Sequence, residues 1–352
     1  MKLAAFQRHL ERERIGAAVF LNLSPRQQDW AIEYLTGIDD LEYGALVVTS
    51  TSATLLATGF EYERFKKNPS ISVKKGERDL LKQVSDAMKR HRTIGINSGA
   101  LNHESAEHLK RATKKNLISI SKTLLELRMT KTSEEISRIK KATKLTDTIF
   151  ASCISNFKKF KTEEDVDRYL RAECARHDVE PAYDPIVASG PNASFPHHRP
   201  KGKLHKGFCV IDFGVKYKGY CADMTRTIFL GTPNTSEREL YSLVLNVQRQ
   251  GVLFLIPGAR FVDVDAMLRE SLGVHQKNFI HSFGHSLGMD VHDPLPVRSR
   301  DLRFVRDMIF TMEPGLYFAG KLGIRIEDDV VVGKKPVILN KTPHHLVCIT
   351  RR

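Results

Sequence analysis

Two acids set inside apolar strand sequence constrain this chain more than any other feature. In FCVIDFGVKYKGYCADMTRTIFL, the runs Phe208 to Phe213 and Met224 to Leu230 flank the turn signal Lys216-Tyr217-Lys218-Gly219, which predicts one β-hairpin. With Tyr217 and Lys218 as the loop residues, Asp212 falls opposite Asp223. Directly opposed residues have Cβ atoms only about 4.5–5.5 Å apart, and like charges there repel unless a cation lies between them. A second segment repeats the arrangement. IFTMEPGLYF and GIRIEDDVVV flank a turn near Ala319-Gly320-Lys321, which sets Glu313 opposite Glu327. Four acids on two apolar strand pairs imply a metal site, with two ions the expected number.

Length and composition bound the rest. The 352 residues are 41% hydrophobic, 27% charged and 8% aromatic, as in an ordinary globular protein of one large or two smaller domains. No apolar run approaches the roughly 20 residues of a membrane span, so no membrane partner is expected. The N-terminal MKLAAFQRHLERER turns charged after six residues and lacks the apolar core of a signal peptide. Cys153, Cys174, Cys209, Cys221 and Cys348 are scattered with no redox or zinc spacing. Reduced thiols in the cytoplasm are the simplest reading. The net charge of +14 raises a nucleic-acid partner. The basic residues are nevertheless spread along the chain, mostly Lys at helix-surface spacing, so they read as a solvated surface and no nucleic acid is expected.

The first part of the chain alternates helix and strand: helix 3–14, strand 17–21, a hairpin of 45–49 and 53–57, helix 77–92, strand 93–97 and helix 104–112. This α/β region carries no chemical motif. A boundary is expected within 122–132, giving domains 1–125 and 126–352. Thr132 or Ser133 is suited to cap a long helix, 134–157, followed by a second, 162–177, before the acid-bearing strands.

Histidines decide what kind of metal. IHSFGHSLGMDVHD holds His281, His285 and His292, and PIVASGPNASFPHHRP holds His197 and His198. A mixed Asp, Glu and His set suits Mn, Co, Fe or Zn rather than Ca or Mg. Neither an EF-hand loop nor HExxH is present.

Together, IDFG…GYCADMTRT, HSFGH…VHD, MEPGLY and GIRIEDD resemble, in order and spacing, the pita-bread metallopeptidases. That family includes methionine aminopeptidase, Xaa-Pro aminopeptidase and Xaa-Pro dipeptidase. The resemblance covers residues ~130–352, and residues ~1–125, with IEYLTGI, resemble the N-terminal domain of prolidases and creatinases, which methionine aminopeptidases lack. The fold it implies is α+β: a curved, pseudo-duplicated antiparallel sheet covered by helices, after a smaller α/β domain. It also implies roles. Asp212 would chelate one ion, Asp223 and Glu327 would bridge two, and His285 and Glu313 would complete the second ion's ligand set, with a hydroxide bridging the pair. Glu313 would move the proton as base and then acid. His197 would hold substrate or shuttle protons, His292 would donate to the developing oxyanion, and Arg325 would orient the ligands from outside. Arg298 in DPLPVRSR would bind a substrate carboxylate, with Arg300 as competitor, while His281 would be structural.

There are departures from the family's pattern. HSFGHS stands where HGTGHG is usual, and Phe283 in place of a small polar residue is expected to narrow the pocket. Asp293 replaces a more frequent glutamate, and His198 competes with His197. The expected activity is hydrolysis of Xaa-Pro dipeptides by a cytoplasmic homodimer holding two divalent ions per subunit, with Mn or Co ahead of Zn or Fe. The alternatives are an Xaa-Pro aminopeptidase on longer peptides, a creatinase-like amidinohydrolase, and a peptidase-like binding protein that has lost catalysis.

Overall fold

The computed structural model describes residues 2–24, 27–76 and 79–350. Its contacts divide the chain into two units, Met1–Arg128 and Met129–Arg352.

The first unit is a six-stranded sheet with helices between strands. The strands are β1 (Ala17–Asn22), β2 (Gly44–Val48), β3 (Ala53–Ala57), β4 (Ser72–Lys75), β5 (Thr93–Ile96) and β6 (Asn116–Ser119), in the order β4-β3-β2-β1-β5-β6. The β2–β3 hairpin pairs Val48 with Ala53, so its loop is residues 49–52. Helices α1 (Lys2–Arg12), α2 (Ala31–Thr36), α3 (Gly59–Phe65), α4 (Leu80–Ala87), α5 (His103–Thr113) and α6 (Ser121–Met129) connect them. The helix expected over 77–92 is shorter at both ends. Asp79 accepts from the Lys82 amide and caps it, and Glu77 and Arg78 lie outside the described residues. The sequence reading omitted α2, α3, β4, β6 and α6, which are short or lack a clean period, and α6 lies across the stretch read as a boundary.

In the second unit, capping fixes the helix starts. Thr132 caps α7 (Ser133–Asn156) in a reciprocal box with Glu135, and Thr162 does the same with Asp165 for α8 (Glu163–Arg176). Next come β7 (Glu180–Pro181), β8 (Ile186–Ser189), β9 (Gly207–Asp212), β10 (Val215–Tyr217), β11 (Tyr220–Cys221) and β12 (Thr225–Leu230). Two helices, α9 (Thr235–Leu253) and α10 (Phe261–Ser271), separate these from β13 (Ile309–Met312), β14 (Gly315–Phe318), β15 (Leu322–Arg325), β16 (Asp328–Val331), β17 (Val337–Ile338) and β18 (Cys348–Ile349).

Both acid-bearing segments follow one plan. A long strand pair (β9/β12, β13/β16) continues into a short pair beside the turn (β10/β11, β14/β15). The acids sit at the joints between the two. Helices α7 and α8 pack against the first segment through Ile149, Phe150, Val166 and Leu170, which share a core with Ile211, Val215 and Met224. Helices α9 and α10 bury Val244, Val247 and Leu268 with Phe310 and Met312 of the second.

The first hairpin's register differs from expectation. Asp212 pairs with Thr225, not Asp223. The turn falls on Lys218 and Gly219, at φ 47° and 78°, with Tyr217 opposite Tyr220. Two consecutive left-handed residues match the twist of a two-residue hairpin, and Gly219 meets that demand without strain. The slip is two residues, so both acids keep the face assigned to them. In the second hairpin, the pairs Met312–Asp328 and Gly315–Arg325 bracket Glu313 and Glu327 and place them in register.

Candidate metal centre

Backbone contacts draw three segments together around the acids. The Glu327 amide donates to Thr225 O at 3.1 Å, joining the two hairpins. The amides of Thr311 and Glu313 donate to His285 O and Phe283 O at 2.9 and 2.8 Å, laying the histidine segment along β13. Gly284 permits this approach, because a Cβ there would lie 2.0 Å from Thr311 O. Phe283 does not narrow a pocket. It is fully buried, stacked on Phe261 at 4.5 Å and packed near Phe310, because its alternation with Gly284 turns it into the core.

Asp212, Asp223, His285, Glu313 and Glu327 all line one pocket of about 1130 Å³, together with His197, His281, His292, Arg298 and Arg325. Ligand atoms of Asp223, His285 and Glu327 lie within 4.8 Å of one another. The Nε2 of His285 is 3.5 Å from Asp223 Oδ2 and 3.6 Å from Glu313 Oε1. Its Nδ1 lies 3.3 Å from Ser286 O, which selects the tautomer that presents Nε2 to the acids. Glu327 receives the Thr225 hydroxyl on Oε2 at 2.7 Å, while its Oε1 is buried without a hydrogen-bond partner. An orphaned carboxylate oxygen on a residue grouped with another acid and an imidazole nitrogen fits a divalent cation.

Electrostatics say the same. Burial pushes Glu327 well above its ordinary range, and Asp223, Glu313 and Asp212 push it further. Burial raises Glu313 to about 7 against the pull of His285 and Arg325. Asp212 rises to about 6 through burial, with Arg325 opposing and Asp223 assisting. Burial disfavours charge on His285, yet its contact with Asp223 and the charge of Glu313 outweigh this and raise it to about 9. Such crowding of acids is costly without positive charge among them.

Arg325 braces the acids from behind. It donates Nη2 to Asp212 Oδ2 at 2.6 Å, Nε to Thr225 Oγ1 at 3.0 Å and Nη1 to the Tyr317 hydroxyl at 2.7 Å. Burial and then the charge of Arg325 lower His281 to about 4 and keep it neutral. Its Nδ1 donates to Ser282 O at 2.7 Å, so its Nε2 accepts from Tyr317 at 2.9 Å. His198 meets the buried Glu163 at 2.7 Å, a structural contact, whereas His197 is exposed on the pocket wall. The His292 ring stacks on His285 at 4.0 Å, and burial followed by His285's charge lowers its pKa. Arg298 is exposed on the pocket wall, with no carboxylate of the described residues in ion-pair range. Arg300 is off that wall, 3.6 Å from Asp301.

The sequence reading missed Tyr183, whose hydroxyl lies within hydrogen-bond reach of both Asp212 and Asp223. It stands in PAYDP with no motif around it. Thr225 and Tyr317 were also passed over, although both lie inside quoted motifs.

Residues 137–334, more than half of the chain, match Metallopeptidase family M24, and residues 2–130 match the Creatinase/Prolidase N-terminal domain. The chain belongs to metallopeptidase family M24. As a member of that family it is a divalent-metal-dependent peptidase. It is 32% identical to an Xaa-Pro dipeptidase of Pyrococcus furiosus over 308 residues, covering 86% of this chain and 88% of the relative. Among solved structures it resembles an Xaa-Pro dipeptidase from Bacillus anthracis (TM-score 0.89, 25% identity, 99% of each chain). It resembles equally an X-Pro aminopeptidase from Thermotoga maritima (TM-score 0.90, 26% identity, 97% of this chain and 100% of that one). No helix among the described residues is long and apolar enough to cross a membrane.

Proposed function

We propose that this peptidase hydrolyses Xaa-Pro dipeptides using two divalent ions, Mn or Co ahead of Zn or Fe. Asp212, Asp223, His285, Glu313 and Glu327 would hold the ions. Bound there, divalent ions make water acidic enough to attack and polarise the scissile carbonyl. The chain's own residues do the rest. Burial gives Glu313 a high proton affinity, which suits a carboxylate that takes the water's proton and returns it to the leaving nitrogen. His292 donates an N–H toward the oxyanion as charge develops. His197, exposed on the same pocket's wall, holds the substrate. Arg325 keeps Asp212 directly, and Glu327 through Thr225, in place. Residues 126–352 carry this chemistry and 1–125 form the creatinase-type domain. Assembly as a cytoplasmic homodimer belongs to the same reading.

The observation that carries the dipeptidase assignment is Arg298. It shares the acids' pocket and has no acidic partner among the described residues, so its fork is available for a proline carboxylate. The aminopeptidase reading is favoured by the pocket's size, about 1130 Å³, which exceeds what a dipeptide needs. Turnover of Leu-Pro against Leu-Pro-Gly separates the two. A higher kcat/KM on the dipeptide supports the proposal, and a higher value on the tripeptide replaces it with the aminopeptidase.

A further inference from the structure

We propose that Lys131 is a positioning residue whose ammonium ties together the two turns that carry His285 and His292. The inference rests on the reading of His292 given above. Lys131 Nζ lies 3.0 Å from Asp293 Oδ2 and 3.5 Å from Ser286 Oγ. Each partner directly follows one of the two histidines. The ion pair is closed to solvent, with both side chains 1% exposed.

Everything around the pair fixes distance. The Lys131 amide donates to Asp307 O at 2.8 Å, and the next residue is the α7 cap, so the lysine's stem starts from an anchored backbone. The Asp293 amide donates to Ser286 O at 2.8 Å, and Ser286 bridges to Phe310 of β13. Gly288 leaves room for the carboxylate, since a Cβ there would sit 2.5 Å from Asp293 Oδ2. The outcome is two imidazole rings held 4.0 Å apart at 27°. A buried ion pair is a weak stabiliser, because desolvation consumes most of its attraction. What it does supply is a definite spacing between the segments it joins. Displacing a reacting group by about 1 Å costs on the order of 100-fold in rate.

The test is a double-mutant cycle on an Xaa-Pro dipeptide using Lys131→Met, His292→Ala and their combination. Lys131→Met is expected to lower kcat roughly 10–100-fold, with KM little changed and metal content by elemental analysis equal to wild type. In the His292→Ala background the same substitution should cost less than about threefold, because the positioned group is gone. If Lys131→Met fails to fold, the neutral pair Lys131→Met/Asp293→Asn enters the same cycle. Equal costs in both backgrounds overturn the inference, as does metal loss in proportion to activity or an unchanged kcat in either variant. A His292→Ala enzyme with normal kcat removes the reading beneath the inference, and the inference with it. Failure of the wild type to cleave Xaa-Pro refutes the proposed substrate instead.

Discussion

Glu327→Gln should stabilise the metal-free protein and weaken the metal-loaded one. In the absence of cations Glu327 is buried with Oε1 unpartnered and lies within 4.8 Å of an Asp223 oxygen. Two ionised carboxylates at that spacing repel by roughly 3–4 kcal/mol at an effective dielectric of about 20. The alternative is protonation, which at pH 7 costs an acid of ordinary value 4.5 about 3.4 kcal/mol. Either way the folded metal-free chain carries a burden of about 3 kcal/mol that glutamine lacks. At pH 5 the burden is only about 0.7 kcal/mol. The sign follows from linkage. A carboxyl whose folded pKa is raised binds more protons folded than unfolded, so stability falls as pH climbs above 4.5 toward that folded value. Thermal unfolding in chelator should therefore place the variant less than about 3 °C above wild type at pH 5 and about 6–12 °C above it at pH 7. Excess Mn should reverse the order, because a carboxylate holds the ion more tightly than a neutral carboxamide does. A variant less stable than wild type in chelator at pH 7, or a gap that does not widen with pH, would refute the reasoning.

His292→Ala should lower kcat by roughly 100-fold or more, and His281→Ala, which loses a hydrogen bond with Tyr317, should do less. The opposite ranking with folding intact would reassign the two rings. Arg298→Ala should raise KM for an Xaa-Pro dipeptide by about 10–150-fold, the scale of a lost charged hydrogen bond, but leave the Xaa-Pro amide little affected. Equal effects on both would remove Arg298 from carboxylate binding. In the first unit, burial raises Asp29 to about 6 against its bonds from Asn97 and the Ala31 amide. Its stability cost is absent below pH 3.8 and fully present above about 6. Asp29→Asn should therefore raise unfolding free energy increasingly across that window, by about 1–3 kcal/mol, and a constant offset would contradict it.

The candidate site was legible because strand parity is robust. The first hairpin slipped by two residues, yet a slip of two returns every side chain to its own face, so Asp212 and Asp223 still meet in one pocket. The second hairpin was readable in register because Gly320, at φ 66°, marks its turn. The helix start at Thr132 was readable because capping is local chemistry. What stayed hidden is long-range. Lys131 meets Asp293 across 162 positions, and Tyr183 reaches Asp223 across 40. Nothing local distinguishes such a lysine or tyrosine from a surface one. Phe283 misled for a related reason, since a large residue beside ligands reads as a pocket wall until the backbone turns it inward.

The most direct test of the account is a metal titration with simultaneous readout of turnover and bound metal. The chelated protein is titrated with Mn against Leu-Pro hydrolysis. The account expects no turnover in the depleted protein, recovery that saturates as two ions bind per chain, and neither binding nor recovery in Asp223→Asn. Full turnover in the depleted wild type, or metal bound to saturation with no peptide cleaved, would contradict it.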